Sequence, residues 1–237
     1  GDSLVVRTPR GHILLVDAGS QEAGRFQLIP FLRHHGITTL DGLVLTHADE
    51  DHLGGAIPLL QEIRVRRLLT NGAIDDTMSA RRVLSLAAAC GIEETVVAAG
   101  MTIEAGQGIA IDVLHPPRGF VPGTAPASND NSLVLKLTKG TVSILLTGDI
   151  EEAGLPWLLR SGGSLRSTVL KVPHHGSRLG TIGATFFETV QPALALLSVG
   201  RAHHLPARET VEALQETGAV IYSTRDEGAI ELRTELE

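Results

Sequence analysis

Ten consecutive residues hold the densest chemistry in the chain: Thr46-His47-Ala48-Asp49-Glu50-Asp51-His52-Leu53-Gly54-Gly55. His47, Asp49, Asp51 and His52 offer imidazole nitrogen or carboxylate oxygen within six positions. Carboxylates a few ångströms apart cannot both ionise cheaply, so such a loop calls for a cation. A solvated acidic loop is the plain alternative, and it leaves that crowding uncompensated. Gly54 and Gly55 are expected to turn the backbone tightly and bring it close to whatever is bound. A second ligand candidate is Pro173-His174-His175-Gly176-Ser177, with two adjacent histidines at a strand terminus. Asp17 and Asp149 each follow an apolar run and precede or follow small residues.

The elements that must position these groups are legible as alternating apolar runs. Strands are expected over 4–8, 12–16, 42–45, 67–70, 94–97, 109–114, 133–137, 142–146, 167–172, 193–198, 219–222 and 229–232. Helices are expected over 25–35, from 56, and over 78–90, 151–160, 184–190 and 209–217. Asp17, His47, Asp149, His174 and Ser198 then each lie just beyond the carboxyl end of a strand, where open α/β sheets bind ligands. The Pro-, Gly-, Ala- and Ser-rich stretch 116–128 reads as a surface loop and a seam between two halves. His115 before two prolines reads as a loop residue, and His34 and His35 suit a helix C-terminus.

Composition bounds the function classes. The 237 residues are enough for one domain with a two-layer core. Net charge is −7 and aromatics are 3% of the chain. Binding of nucleic acid through a basic surface or stacked aromatic platforms is therefore disfavoured. One cysteine, Cys90, excludes intrachain disulfides and cysteine-rich zinc motifs, and it is expected to be a small buried apolar residue in a helix. No apolar stretch is long enough to span a membrane, so this piece is expected to be soluble, while its abrupt opening at Gly1-Asp2-Ser3 suggests a domain excised from a larger protein.

The pattern His-x-Asp-x-Asp-His-x-Gly-Gly resembles the signature of the metallo-β-lactamase fold, whose usual form has a second His where Asp49 stands. That Asp, with Gly1-Asp2-Ser3, Asn129-Asp130-Asn131-Ser132-Leu133-Val134-Leu135, Leu170-Lys171-Val172-Pro173-His174-His175-Gly176-Ser177 and Ser198-Val199-Gly200, is similar to the metallo-β-lactamase-like domain of ComEC-type competence proteins. The similarity runs over nearly the whole chain. It implies an α/β fold, the four-layer αββα sandwich, and a site for two divalent cations, Mn²⁺ or Zn²⁺.

One cation would take His47, Asp49 and a later ligand, and the other Asp51, His52 and His175 or His174, with Asp149 bridging. A His is common before the strand pair leading to the bridging aspartate; here Asp130 or Asn131 must serve. Asp17 would orient the metal-binding loop. Two cations so placed clamp both oxygens of an in-line displacement, which suits phosphodiester hydrolysis. Asp51 and Asp149 would then carry catalysis, and Lys171 and His204 would hold phosphate oxygens. His203-His204-Leu205-Pro206 departs from the His-Pro usual in the family.

The implied function is a nuclease degrading DNA, single-stranded DNA above all, during natural transformation. The domain would be attached to the membrane channel of its parent protein, on the extracellular face, with no small-molecule cofactor. Two other readings keep the same residues: hydrolysis of a small phosphodiester or other ester, β-lactams least of all, and a non-catalytic metal-stabilised module that guides DNA. Arg64, Arg66, Arg67, Arg178 and Arg201 are expected to be ordinary exposed charges.

Overall fold

The computed structural model describes residues 1–73, 77–105, 109–200 and 204–234. Arg201 and His203 lie outside the described residues. Strands in chain order are β1 (Leu4–Arg7), β2 (Ile13–Val16), β3 (Thr39–Leu40), β4 (Gly42–Val44), β5 (Arg64–Val65), β6 (Leu68–Thr70), β7 (Glu94–Val96), β8 (Thr102–Glu104), β9 (Ala110–His115), β10 (Val134–Lys139), β11 (Val142–Leu146), β12 (Val169–Lys171), β13 (Leu194–Leu197) and β14 (Val220–Ser223). Helices are α1 (Gln21–Ala23), α2 (Ile29–His34), α3 (Glu50–Leu53), α4 (Ala56–Glu62), α5 (Met78–Ala89), α6 (Leu155–Arg160), α7 (Gly180–Val190), α8 (Arg208–Glu216) and α9 (Thr224–Glu227), with a π-helical segment, Gly24–Leu28, joining α1 to α2.

Two sheets form, ordered β1-β2-β4-β6-β7 and β14-β13-β12-β11-β10-β9-β8, beside a small β3-β5 pair. The strands that lead into the site are parallel: β2, β4 and β6 in one sheet, and β11, β12, β13 and β14 in the other. Period-two alternation sorts side chains between layers. On β2, Leu14 and Val16 face the space between the sheets, while Leu15 faces the helices. On β10 and β11, Leu135 and Leu146 point between the sheets, whereas Val134 and Leu145 join Leu158, Phe186 and Phe187 beneath the outer helices. Three apolar cores separated by two sheets make the four-layer αββα sandwich of the metallo-β-lactamase fold.

Some local expectations fail for identifiable reasons. Residues 229–232 form no strand: Ser223 Oγ caps the turn α9 and the chain leaves the sheet edge there. β8, short and half exposed, carries too little pattern to have been read. Cys90 is exposed at the end of α5 rather than buried.

Gly55 approaches protein, not ligand. A Cβ there would lie 2.0 Å from the Ala18 carbonyl oxygen, and Gly24 abuts it from the other side. The Gly55 N–H donates to Gly19 O at 2.8 Å, clasping the loop after β2 to the loop after β4. Gly55→Ala is therefore expected to cost about 3 kcal/mol or more, because backbone rather than a flexible side chain must yield. Urea unfolding of the variant measures this; a cost under about 1 kcal/mol would show that the clasp can relax.

His115 is not a surface-loop residue but the buried last residue of β9, its Nε2–H donating to Asp130 O at 2.7 Å. Burial pushes its pKa down to about 4, partly offset by that hydrogen bond and the Asp130 charge. In the unfolded chain the ring titrates near 6.5. As pH falls, the unfolded state takes up the proton first. Stability from this site is thus complete above about pH 6.5 and falls by on the order of 3 kcal/mol by about pH 4. His115→Gln keeps a donor without the titration. Its unfolding free energy should fall less than the wild type's between about pH 7.5 and 4.5, and equal acid sensitivity would refute this account.

Candidate metal centre

The centre is built where the parallel strands of both sheets end. Asp17 follows β2 in a left-handed conformation (φ 57°), a strained position for a residue with a Cβ. Its carboxylate accepts from Thr46 N at 2.8 Å, Thr46 Oγ1 at 2.7 Å and His52 Nδ1 at 2.8 Å. These bonds determine two tautomers. Thr46 spends its single hydroxyl hydrogen on Asp17, so the contact between Thr46 Oγ1 and His47 Nδ1 at 2.9 Å is donated by the ring. His47 Nε2 is left bare, and it is buried with no hydrogen-bond partner. His52 likewise uses Nδ1–H on Asp17 and turns Nε2 inward.

From the second sheet, β12 ends in Pro173-His174-His175-Gly176, where His174 (φ 42°), His175 (φ 55°) and Gly176 (φ 81°) are all left-handed. Such a run costs on the order of 1–2 kcal/mol per non-glycine residue. It sends the two histidines to different places. His175 points in: its Nε2 lies 3.3 Å from His52 Nε2 and 3.2 Å from Asp149 Oδ2. His52 Nε2 is 3.2 Å from the same oxygen, and Asp51 Oδ2 is 3.6 Å from His175 Nε2. His174 stays at the rim, Nε2 at 3.9 Å from Asp149 Oδ2 and Nδ1 at 2.6 Å from Glu151.

Two imidazole nitrogens and a carboxylate oxygen at mutual separations of 3.2–3.3 Å match the ligand edges around a cation whose bonds are about 2.1 Å. With the orphaned His47 Nε2 beside them, these residues fit a divalent ion. Asp49 sits half exposed, 3.7 Å from His47 Nε2, on the open side of the centre.

Charge points the same way. Burial would lower the pKa of both His52 and His175, yet neighbouring carboxylates raise each to about 10: Asp17 and Asp149 for His52, and Asp149, Asp2 and Asp51 for His175. Burial also opposes ionisation of Asp149, but the Lys171 charge and hydrogen bonds from His175 and His52 hold its carboxyl well below the usual range. A hydrogen bond from His175 holds the Asp51 carboxyl low against its partial burial. His47, by contrast, is pushed down by burial and by His52, in keeping with a neutral ring. The negative charge that holds protons on His52 and His175 is of the kind that holds a cation once they leave.

Three expected assignments change. Lys171 cannot hold a substrate phosphate: it is buried, with Nζ against Asp2, 2.8 Å from Gly148 O and 3.2 Å from Asp149 Oδ1. Asp130 supplies no ligand. Its Oδ1 accepts the Gly154 N–H at 2.7 Å, in the loop that follows Asp149. Asn131 is likewise committed, to Val121 N, Thr124 Oγ1 and Ala125 O. Ser132 Oγ accepts the Asp149 N–H at 3.2 Å, so the segment 128–132 is a clasp on the site loops. His204 is exposed and makes no hydrogen bond to the centre among the described residues. Arg66 and Arg178 are spent on Asp41 and Glu209.

The centre also contains a residue that sequence reasoning passed over. Asp2 groups with His52, Asp149 and His175, one side-chain N or O atom of each lying within 4.8 Å of the others. An aspartate beside a glycine at a strand entry has no pattern of its own. Only its place in the stretch Gly1-Asp2-Ser3 hinted at a role.

Fold and site define the class: a two-sheet α/β protein with a His–Asp centre suited to divalent cations at the strand ends. The family model of the metallo-beta-lactamase superfamily matches residues 1–187, and the chain belongs to that superfamily, whose members are usually metal-dependent hydrolases. ComE operon protein 3 of Bacillus subtilis (strain 168) is 33% identical over 252 residues, covering 98% of this chain and 32% of that protein. Competence protein ComA of Neisseria gonorrhoeae is 30% identical over 238 residues, covering 98% of this chain and 30% of that protein. Both are ComEC-type competence proteins, and the chain spans about a third of their length. Among solved structures, the metallo-beta-lactamase fold protein YhfI from Bacillus subtilis shares the fold with a TM-score of 0.59 at 12% identity, over 94% of this chain and 89% of that one. No helix among the described residues is long and apolar enough to cross a membrane.

Proposed function

We propose that this chain is the metal-dependent nuclease domain of a ComEC-type DNA-uptake protein, hydrolysing DNA phosphodiesters during natural transformation. The observation that carries the reading is the convergence of His52, His175, Asp51 and Asp149 on one point, with the bare His47 Nε2 beside it. The competence-protein relatives turn that general hydrolytic site toward DNA.

Bound divalent cations would supply an activated water and stabilise charge developing on phosphate oxygens. Two imidazoles with two carboxylates suit Zn²⁺ and Mn²⁺ alike, and two ions are proposed. The chain's own residues prepare the centre. Asp17 and Thr46 hold the Nδ1–H of His52 and of His47, so that Nε2 of each ring faces the centre, and Lys171 keeps Asp149 ionised. Asp49, Asp51 and His174 form a half-open side by which a polymer can reach the ligands. A single strand can approach that side without the bulk of its complement. Affinity rests on phosphate at the metals rather than on a basic surface. The domain is taken as one unit whose halves meet near 116–128, joined to a membrane channel and facing the cell exterior.

Metal-stripped protein resupplied separately with Mn²⁺, Zn²⁺ or Mg²⁺, and offered end-labelled single- and double-stranded DNA, tests the proposal. Degradation that returns with metal and is absent from Asp51→Ala supports it. Chelation should also lower the melting temperature, since a ligand of the native state stabilises it. Hydrolysis of small chromogenic phosphodiesters without DNA cleavage would move the activity to a small substrate. The docking of Asp130 on Gly154 favours a second reading, a metal-stabilised module that guides DNA, because it leaves His47 and Asp49 without the third ligand expected there.

A further inference from the structure

We propose that Asp2 is a positioning residue of the metal centre, which aligns His175 directly and Asp149 through Lys171. Both Asp2 oxygens are buried. One faces His175 Nδ1 at 3.5 Å, an ion-pair distance at which neither atom has a hydrogen-bond partner, and the other pairs with Lys171 Nζ. Lys171 in turn reaches Asp149 Oδ1 at 3.2 Å, on the side away from the oxygen that faces the two histidines. One carboxylate thus addresses two metal-facing residues from behind. A carboxylate on the outer nitrogen of a ligating imidazole sets its tautomer and ring plane, and loss of such a partner typically weakens metal binding by about 10–100-fold.

Asp2 is itself held across the molecule. Gly19 N, in the loop after Asp17, donates to Asp2 O at 2.7 Å, and Ser198 Oγ, beyond β13, donates to Gly1 O at 3.1 Å. The segment ahead of β1 therefore ties both sheets at their carboxyl ends. Asp2 is no ligand, because the Lys171 ammonium lies against it and would sit beside any cation it bound. Lys171 offsets the Asp2 charge, while the carboxylates of Asp51 and Asp149 face His175.

The inference rests on the metal centre and not on the nuclease reading, so its test needs no substrate. Co²⁺ titration of metal-stripped protein, followed by the visible absorption of the bound ion, is compared for wild type, Asp2→Asn and the charge-balanced Asp2→Asn/Lys171→Met pair. Asp2→Asn is expected to bind Co²⁺ about 10–100-fold more weakly with an altered spectrum. The double variant should regain fold stability but not affinity, since it restores charge balance without the carboxylate behind His175. Wild-type affinity and spectrum in either folded variant would overturn the proposal and leave Asp2 a tie of the fold only. A check free of substitution is the His175 side chain of zinc-loaded wild type by nitrogen NMR: protonated Nδ1 with metal-shifted Nε2 is expected, and the reverse assignment would overturn it.

Discussion

Lys171→Met is expected to unfold more easily than wild type by about 3–5 kcal/mol, the usual cost of removing one partner from a buried charge pair. Lys171 is 1% exposed, and so is Asp2; Asp149 is 2% exposed. The substitution leaves two buried carboxylates facing each other with no cation between them. Their pKa values must then rise, since burial favours the neutral form and the charge that opposed it has gone. The sign on pH follows. In wild type both carboxyls are depressed below their unfolded values, so their contribution is present above about pH 4 and lost on acidification. The variant should lose part of that acid limb and be most inferior to wild type near neutrality. Urea unfolding at several pH values, on metal-stripped protein, measures the gap. A difference below about 1 kcal/mol near pH 7 would mean that solvent reaches the pair and that Lys171 is no structural centre.

Asp149→Asn is expected to abolish the centre while sparing the fold. Asp149 Oδ2 is the point shared by His52 and His175 at 3.2 Å each, so losing its charge removes a ligand and the counter-charge of both rings together. Residues behind a metal ligand cost about 10–100-fold in affinity when removed, and the ligand itself should cost more than the upper end of that range. On the proposed nuclease reading, DNA cleavage should fall by about a thousandfold or more, the scale on which divalent metals support hydrolysis. Metal content by atomic absorption and cleavage of end-labelled single strands are the measurements. A variant that loses metal yet handles DNA as wild type does would sink the nuclease reading and favour the guiding module.

Several of the candidate ligands are conspicuous in the sequence itself. His47, Asp49, Asp51 and His52 fall within six positions that run from just after β4 into α3, and a run of ligand-type residues beyond a strand has few structural uses. The fold class was legible for a similar reason: repeated β-branched and leucine runs alternate with helical stretches, and alternation survives in one dimension. The short elements that escaped, β3, β5, β8, α1, α3 and α9, are two to four residues long and carry no period to detect.

What the linear chain could determine by itself was therefore local: which residues can bind a cation, that they end strands, and that Asp17 and Asp149 flank them. The tertiary structure decided everything that depends on direction. It turned His175 inward and His174 to the rim through consecutive left-handed residues, a choice invisible in two identical side chains. It closed Asp130 and Asn131 onto backbone groups of other loops, although both have the chemistry of ligands. It took Lys171 from substrate to Asp2 and Asp149, more than a hundred and sixty residues and about twenty residues away in the chain. Hydrogen bonds and ion pairs act over roughly 3 Å, whatever the separation in sequence. Their partners are settled only when the sheets pack.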